Sequence, residues 1–244
     1  MCIRDRYIFD PHSRKQMAME ASAPKVPYKP GVPTPKPRWI VRDKNGFAPG
    51  INILRLVGLF RFLVPPRIIT GLQFKQYRKL ALLDGVRGSP GQIYTSSIYY
   101  LEGYIESAYA VSVGDAPATI DISSDVARQM GLPSINQVRL CLASQATLGF
   151  TQHEPITAVF EFGMIKDDLP EFERRLDAAF REAGIRYTMH WSKNSGIDPD
   201  KLDYMYGAGK IASWKAARQA VFAGDASLME TFQTDAMVEA GLAA

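Results

Sequence analysis

The chain has 244 residues, of which 46% are hydrophobic and 22% are charged, and its formal net charge is +4. This composition excludes a disordered protein and suffices for one large domain or two small ones with a core. The excess positive charge is mild and lies mainly before Arg38, so it does not indicate nucleic-acid binding. With only two cysteines, Cys2 and Cys141, and three widely spaced histidines, neither a disulfide framework nor a metal site is predicted.

Residues 1–38 are predicted to form no part of a domain. Met1–Arg6 looks like translated sequencing-adapter sequence from the end of an assembled gene, which would place the true start upstream. Six prolines between Ser22 and Arg38 favour an extended linker or wrapping arm. No apolar signal-peptide core is visible, which favours a cytoplasmic over a secreted protein.

The segment from Ile51 to Leu72 is the most apolar of the chain. Its apolar run is interrupted by Arg55 and Arg61 and ends at a Pro-Pro pair, so it is too short and too charged to cross a bilayer. We therefore predict a helix that covers an apolar surface, and no integral membrane insertion. A cap or core helix is the more frequent outcome, and a membrane-surface helix is the alternative.

After Glu102 the sequence predicts two strand-helix-strand units. The expected elements of the first unit are a strand over 107–113, a helix over 115–130 and a strand over 137–142. The second unit has a strand over 156–162, a helix from Asp168 whose apolar stripe is Phe172, Leu176 and Phe180, and a strand over 185–191. Gly131 and Gly184 are placed to end the two helices.

Two such units predict an α+β fold, with helices packed on one face of an antiparallel sheet of duplicated ferredoxin-like type. The chain is expected to turn helical after Asp198, with a helical stripe from Ile211 to Phe222 and a last helix, capped by Asp225, through Met237. Residues 39–244 are then one substrate or cap domain with C-terminal helices.

The strand from Ile185 to Trp191 ends in a cluster of functional side chains. A period of two places Ile185, Tyr187, Met189 and Trp191 on one face, and Arg186, Thr188 and His190 on the other. Lys193 follows directly. The second face either lines a polar cleft or meets water, and the solvent-exposed alternative is the more frequent one.

A second polar pair lies on the strand that begins at Gln137. Its amide and the guanidinium of Arg139 share one face, about 7 Å apart along the strand. Together the two side chains suit one planar group, because the donors of arginine form a rigid, permanently charged fork. An edge-strand arginine in water is the more common alternative.

The order of Gln137-Val138-Arg139, then residues 144–151, then His190-Trp191-Ser192-Lys193 resembles the C-terminal substrate domain of FAD-linked oxidases of the vanillyl-alcohol-oxidase type. The likeness is to aldonolactone oxidases, such as D-arabinono-1,4-lactone oxidase, to alditol oxidases, and to the related cholesterol oxidase with covalent flavin. It covers about half the chain, from Glu102 to Ala223. The His-Trp-x-Lys element is fairly specific, whereas the strand motif alone is weak.

The resemblance implies oxidation of a CH-OH group by hydride transfer to FAD, with a sugar lactone, a polyol or a bulky alcohol such as a sterol as substrate. It implies catalytic roles for Arg139, His190 and Lys193, with His190 and Lys193 near the flavin and Gln137 and Trp191 near the substrate. In the lactone branch the position of Gln137 is usually a glutamate that helps to take the hydroxyl proton, which an amide cannot do. No Gly-rich flavin-binding segment precedes Ser107, so the FAD domain is expected upstream and the present chain is expected to be inactive alone.

A different class of function remains open, namely a non-enzymatic ferredoxin-like module that binds a ligand or a partner protein. It would explain the repeated units equally well and leave Arg139 and Lys193 as surface charges. RNA binding on an open sheet ranks last, because Tyr187 and Trp191 alternate with core residues. The oxidase hypothesis requires Arg139 and His190 to converge on one cavity, and it fails if they lie on opposite sheet faces.

Overall fold

The computed structural model describes residues 5–20, 63–81, 104–134, 136–193 and 196–243. The predicted Pro-rich linker lies outside these residues, as does most of the predicted apolar helix. The described helix near that segment begins at the Pro-Pro pair, with Pro66 as its first residue. This placement is favourable because proline has no backbone N–H, and the first turn of a helix needs none.

The described part of the chain contains six strands and six α-helices. The strands are β1 (Asp5–Phe9), β2 (Gln16–Glu20), β3 (Tyr104–Ser112), β4 (Asn136–Leu142), β5 (Ile156–Ile165) and β6 (Tyr187–Met189). The helices are α1 (Pro66–Ala81), α2 (Ala116–Gln129), α3 (Leu169–Glu182), α4 (Pro199–Val221), α5 (Ala226–Thr231) and α6 (Asp235–Glu239). None of these helices is both long and apolar enough to cross a membrane.

All six strands belong to one antiparallel sheet with the order β2-β1-β4-β5-β3-β6. The α+β class and the antiparallel sheet are thus confirmed. The elements β3-α2-β4-β5-α3-β6 give two strand-helix-strand units whose four strands interleave in the order β4-β5-β3-β6, with β6 at one edge of the sheet. The hairpin β1-β2 extends the sheet beyond β4, within the segment 1–38 that the sequence predicts to lie outside the domain.

The core lies between the sheet and helices α2 and α3, on a side that we call the helix face. The predicted stripe of Phe172, Leu176 and Phe180 is buried there. Across it the sheet contributes Tyr109 and Phe162, with ring centroids 5.8 Å from Phe180 and 5.2 Å from Phe172, respectively. Burial of apolar side chains at about 25 cal/mol per Å² is the main force that holds these helices on the sheet.

Both predicted helix-ending glycines have the left-handed backbone that glycine adopts without strain. Gly131 has a φ of 64° and Gly184 a φ of 69°. In each case the N–H of the following residue bonds back to the helix, from Leu132 to the carbonyl of Ala127 and from Ile185 to that of Phe180. These tight endings turn the chain directly towards β4 and β6.

The C-terminal region follows its prediction in part. The helix α4 begins at Pro199, directly after Asp198 as predicted, and Gly207 interrupts it with a φ of 75°. The single helix predicted after Asp225 is wrong, because the chain forms two short helices, with Thr234 capping the second. The end of the chain returns to the core, where Ala240 and Leu242 are buried.

Candidate functional site

The residues predicted to carry function lie on the sheet face opposite the helices, which we call the far face. Val138 of β4 is buried on the helix face, so its neighbours Gln137 and Arg139 point to the far face. On the neighbouring strand β5, Phe160 is paired with Val138 and belongs to the core. The next residue, Glu161, is paired with Gln137 and therefore also points to the far face.

His190 reaches the same face from the other edge of the sheet. Its backbone N–H donates to the carbonyl of Ala108 at 3.0 Å, and Ala108 is paired on its other side with Glu161. His190 and Glu161 therefore flank Ala108, one on either side of β3. Arg139 and His190 thus lie on the same sheet face, and the opposite-face arrangement that would reject the oxidase hypothesis is not observed.

Two ion pairs organise the far face. Arg139 binds Glu161 through Nη2, and Lys193 binds Glu106 through Nζ. The side chains of Arg139 and Glu161 are only 17% and 13% exposed, so bulk water screens this pair less than a surface pair. We refer to Arg139, Glu161, His190, Lys193 and Glu106 as the far-face cluster.

One hydrogen-bond donor of the cluster is unused among the described residues. The Nε atom of Arg139 is buried and has no hydrogen-bond partner there. Buried N–H groups almost always have a partner, because leaving one unsatisfied costs about 1–3 kcal/mol. An oxygen atom of a bound ligand would satisfy this donor while Nη2 keeps its contact with Glu161.

The ring of His190 is held by its neighbours. The backbone N–H of Ser192 donates to Nδ1 at 3.2 Å, the Oγ of Ser192 lies 3.0 Å from the same atom, and the Phe150 ring contacts the imidazole edge-on at 4.6 Å between centroids. Burial, followed by the positive charges of Lys193 and Arg139, lowers the pKa of His190 from its usual 6.5. The imidazole is therefore neutral at pH 7.

The loop from Ala143 to Pro155, which contains the 144–151 segment of the resemblance, folds against β6. Thr188 donates its hydroxyl to the carbonyl of Phe150 at 2.5 Å, and its oxygen lies 3.2 Å from Nε2 of His153. Burial lowers the pKa of His153, as for His190. This loop fixes Phe150 against His190 and so forms one wall of the cluster.

Trp191 does not join the cluster. It follows the core alternation, stacks on Tyr206 with ring centroids 6.1 Å apart, and donates Nε1–H to the carbonyl of Leu148 at 3.1 Å. These contacts anchor the loop to α4. The predicted substrate-binding residues are thus separated, with Gln137 on the far face and Trp191 among residues packed on the core.

Sequence reasoning missed the two carboxylates of the cluster. Glu161 lies within a recognised alternating strand, and its position opposite Gln137 depends on the β4-β5 register, which no local pattern reveals. It also missed a buried polar group on the helix face, formed by Tyr109, Glu173, Asp177 and Lys201. In this group Lys201 of α4 binds Asp177 of α3 at 2.8 Å.

A search against models of protein families matched none of them, and a search of curated proteins returned no match. Among the described residues no group of three or more His, Cys, Asp or Glu side chains is placed to hold a metal ion. The functional argument therefore depends on the geometry and chemistry of the far-face cluster.

Proposed function

We propose that the chain is the substrate-binding part of an FAD-dependent oxidoreductase that oxidises a CH-OH group. The observation that carries this proposal is the buried Nε–H of Arg139, which has no hydrogen-bond partner among the described residues, beside the paired carboxylate of Glu161. A donor and an acceptor fixed on neighbouring strands match the oxygen and the proton of an alcohol, respectively.

The donors of the cluster also suit a flavin. A reduced flavin carries negative charge near N1, and a fixed cation beside it stabilises hydride transfer. Lys193 is a fixed cation on the far face, because Glu106 and the turn after β6 hold it in place. In this proposal Lys193 lies near the flavin, Arg139 holds the substrate oxygen, and the flavin supplies the oxidant.

The fold around the cluster supports a binding role. Four interleaved strands form a rigid base, and a loop anchored by Trp191 and Thr188 closes one side. Sites on sheet strands hold their side chains more accurately than sites on loops. We further propose that the fold is a duplicated ferredoxin-like module, which presents its far face to a flavin domain.

The test is to express the complete coding region and to measure bound flavin by its visible absorbance and its release on denaturation. A sugar lactone, a polyol and a sterol are then added without oxygen. We expect flavin to be present and one substrate class to bleach its absorbance. A full-length protein with no flavin would reject the proposal.

The two ion pairs favour a second candidate, a ligand-binding module without catalysis. Arg139 and Lys193 are each neutralised by a glutamate, so the cluster is stable without an anionic cofactor. This candidate predicts that the purified chain binds a neutral hydroxylated ligand unaided. Calorimetric titration with the same three compound classes in the absence of flavin distinguishes the two candidates.

A further inference from the structure

The acceptor of the substrate proton is the open question of the far-face cluster. The proposed reaction removes a hydroxyl proton as well as a hydride, and Gln137 cannot accept the proton because an amide is not a base at neutral pH. The neighbouring groups that have lone pairs for this role are the imidazole of His190 and the carboxylates of Glu161 and Glu106.

The hydrogen bonds of His190 assign its protons. A backbone N–H can only donate, so Nδ1 of His190 must accept from Ser192. A neutral imidazole has one N–H and one acceptor nitrogen, and its single proton is therefore on Nε2. A proton arriving at Nδ1 would displace the Ser192 hydrogen bond, and one arriving at Nε2 would find that atom already protonated.

His190 is thus a hydrogen-bond donor and not the base. Its surroundings agree, because burial, Lys193 and Arg139 together lower the pKa of the ring more than Glu161 raises it. Its Nε2–H suits an oxygen that gains negative charge as the substrate proton leaves.

Glu161 is the better placed of the two carboxylates. It faces Gln137 directly across the β4-β5 ladder and binds Nη2 of Arg139, whose Nε has no hydrogen-bond partner in the described part of the chain. Glu106 lies two residues before Ala108 on β3 and binds Lys193 instead. An oxygen held by the Nε–H of Arg139 would therefore lie beside Glu161.

We infer that Glu161 accepts the substrate proton and takes the role that Gln137 cannot perform, with His190 as a fixed donor. This inference rests on the proposed function. In the step, the substrate C–H bond breaks and its electron pair leaves with the hydride to the flavin oxidant. The O–H bond breaks and its proton passes to the Glu161 carboxylate, so the substrate becomes a carbonyl compound and the glutamate a carboxylic acid.

The first test needs no flavin. Nitrogen-15 NMR of the imidazole-labelled chain reports which ring nitrogen of His190 carries the proton. We expect a protonated Nε2 and an unprotonated Nδ1 at pH 7. The opposite tautomer, or a doubly protonated ring, would overturn the assignment of His190 as a donor, whatever the chain's function.

The second test uses the flavin-loaded full-length protein and the variants E161Q, E161D and H190Q. Glu182 at the exposed end of α3 provides a matched control, E182Q. We expect E161Q to slow flavin reduction about 100-fold or more, with partial recovery in E161D. E182Q should behave as the wild type, and H190Q should lose less of the rate than E161Q.

The outcomes separate this inference from the proposed function. A protein that holds no flavin rejects the proposed function, and the NMR result still decides the tautomer. A flavin-loaded protein whose E161Q variant is reduced by substrate at the wild-type rate, while H190Q shows the large loss, overturns the inference alone. If E161Q does not fold, E161D replaces it in the rate measurement. The infrared carboxyl band of the wild type after mixing with substrate then also reports whether Glu161 accepts the proton.

Discussion

Tyr109 donates its phenolic hydrogen to Oδ1 of Asp177 at 2.9 Å, in the interior between β3 and α3. Asp177 also binds Lys201, so one carboxylate connects the sheet to two helices. Tyr109 is on the same strand as Glu106 and Ala108, but on the opposite face. The hydrogen bond thus helps to fix the strand from which part of the far-face cluster is built.

The first prediction concerns this hydrogen bond. Y109F should lower the free energy of unfolding by about 1–3 kcal/mol, because a buried carboxylate oxygen loses its donor. T119V is the control, since the buried hydroxyl of Thr119 has no hydrogen-bond partner among the described residues. Urea denaturation measures both variants, and equal midpoints would show that the Tyr109 bond contributes nothing.

The second prediction concerns Glu173, which is 6% exposed and lies beside Asp177. Burial raises its pKa from 4.5 to about 7, against opposing contributions from Ser107 and Lys201. The folded chain therefore holds this proton more tightly than the unfolded chain. The stabilisation is complete below pH 4.5 and is lost as the pH rises through about 7.

The difference corresponds to roughly 3 kcal/mol at 1.36 kcal/mol for each pKa unit. We expect this part of the pH dependence to disappear in E173Q, whose stability should fall less between pH 4.5 and pH 7 than that of the wild type. Thermal unfolding at closely spaced pH values makes the comparison. Parallel curves for the two proteins would contradict the buried protonated state.

The third prediction concerns the electrostatics of His190. K193M should raise the pKa of His190 towards 6.5 without reaching it, because burial remains the larger cause of the lowered value. K215M, at an exposed position of α4, should leave that pKa unchanged. The carbon-bound ring protons report both titrations by NMR, and a response to K215M equal to that of K193M would place Lys193 away from the ring.

The fourth prediction concerns the loop that positions Phe150. A Cβ atom at Gly149 would lie 2.8 Å from Oγ of Ser144 and 3.0 Å from the backbone oxygen of Ala146, so G149A requires the loop to move. We expect the Phe150 ring to leave His190 and the ring-current shift on the imidazole protons to shrink. G114A, whose Cβ meets no atom nearer than 3.8 Å, is the control, and equal shifts in both variants would exclude a positioning role for this loop.

The alternation of side chains predicted the faces of the sheet correctly. Tyr187 and Met189 are fully buried and Val138 belongs to the core, as a period of two predicts. The reason is that a strand with helices packed on one side must place its apolar residues on that side. The stripe of α3 was equally predictable. From the alternation alone it followed that Arg139 and His190 each point away from the apolar face of their own strand.

Long-range pairing was not predictable. Arg139 meets Glu161 from 22 residues away, and Lys193 meets Glu106 from 87, and only strand order and register bring them together. The same holds for β1, whose pairing with β4 leaves no local pattern in the sequence. Trp191 was placed on its correct face, but its stacking on Tyr206 was not predictable, because it depends on the position of α4.

The central claim is that Arg139 holds a substrate oxygen on the far face, and its most direct test is the rate of flavin reduction in the full-length R139K protein. Lysine keeps the charge but loses the Nε–H and the fork, so we predict a rate about 100-fold lower than that of the wild type. R174K, at an exposed position of α3, should retain the wild-type rate. Reduction of R139K at the wild-type rate would contradict the account.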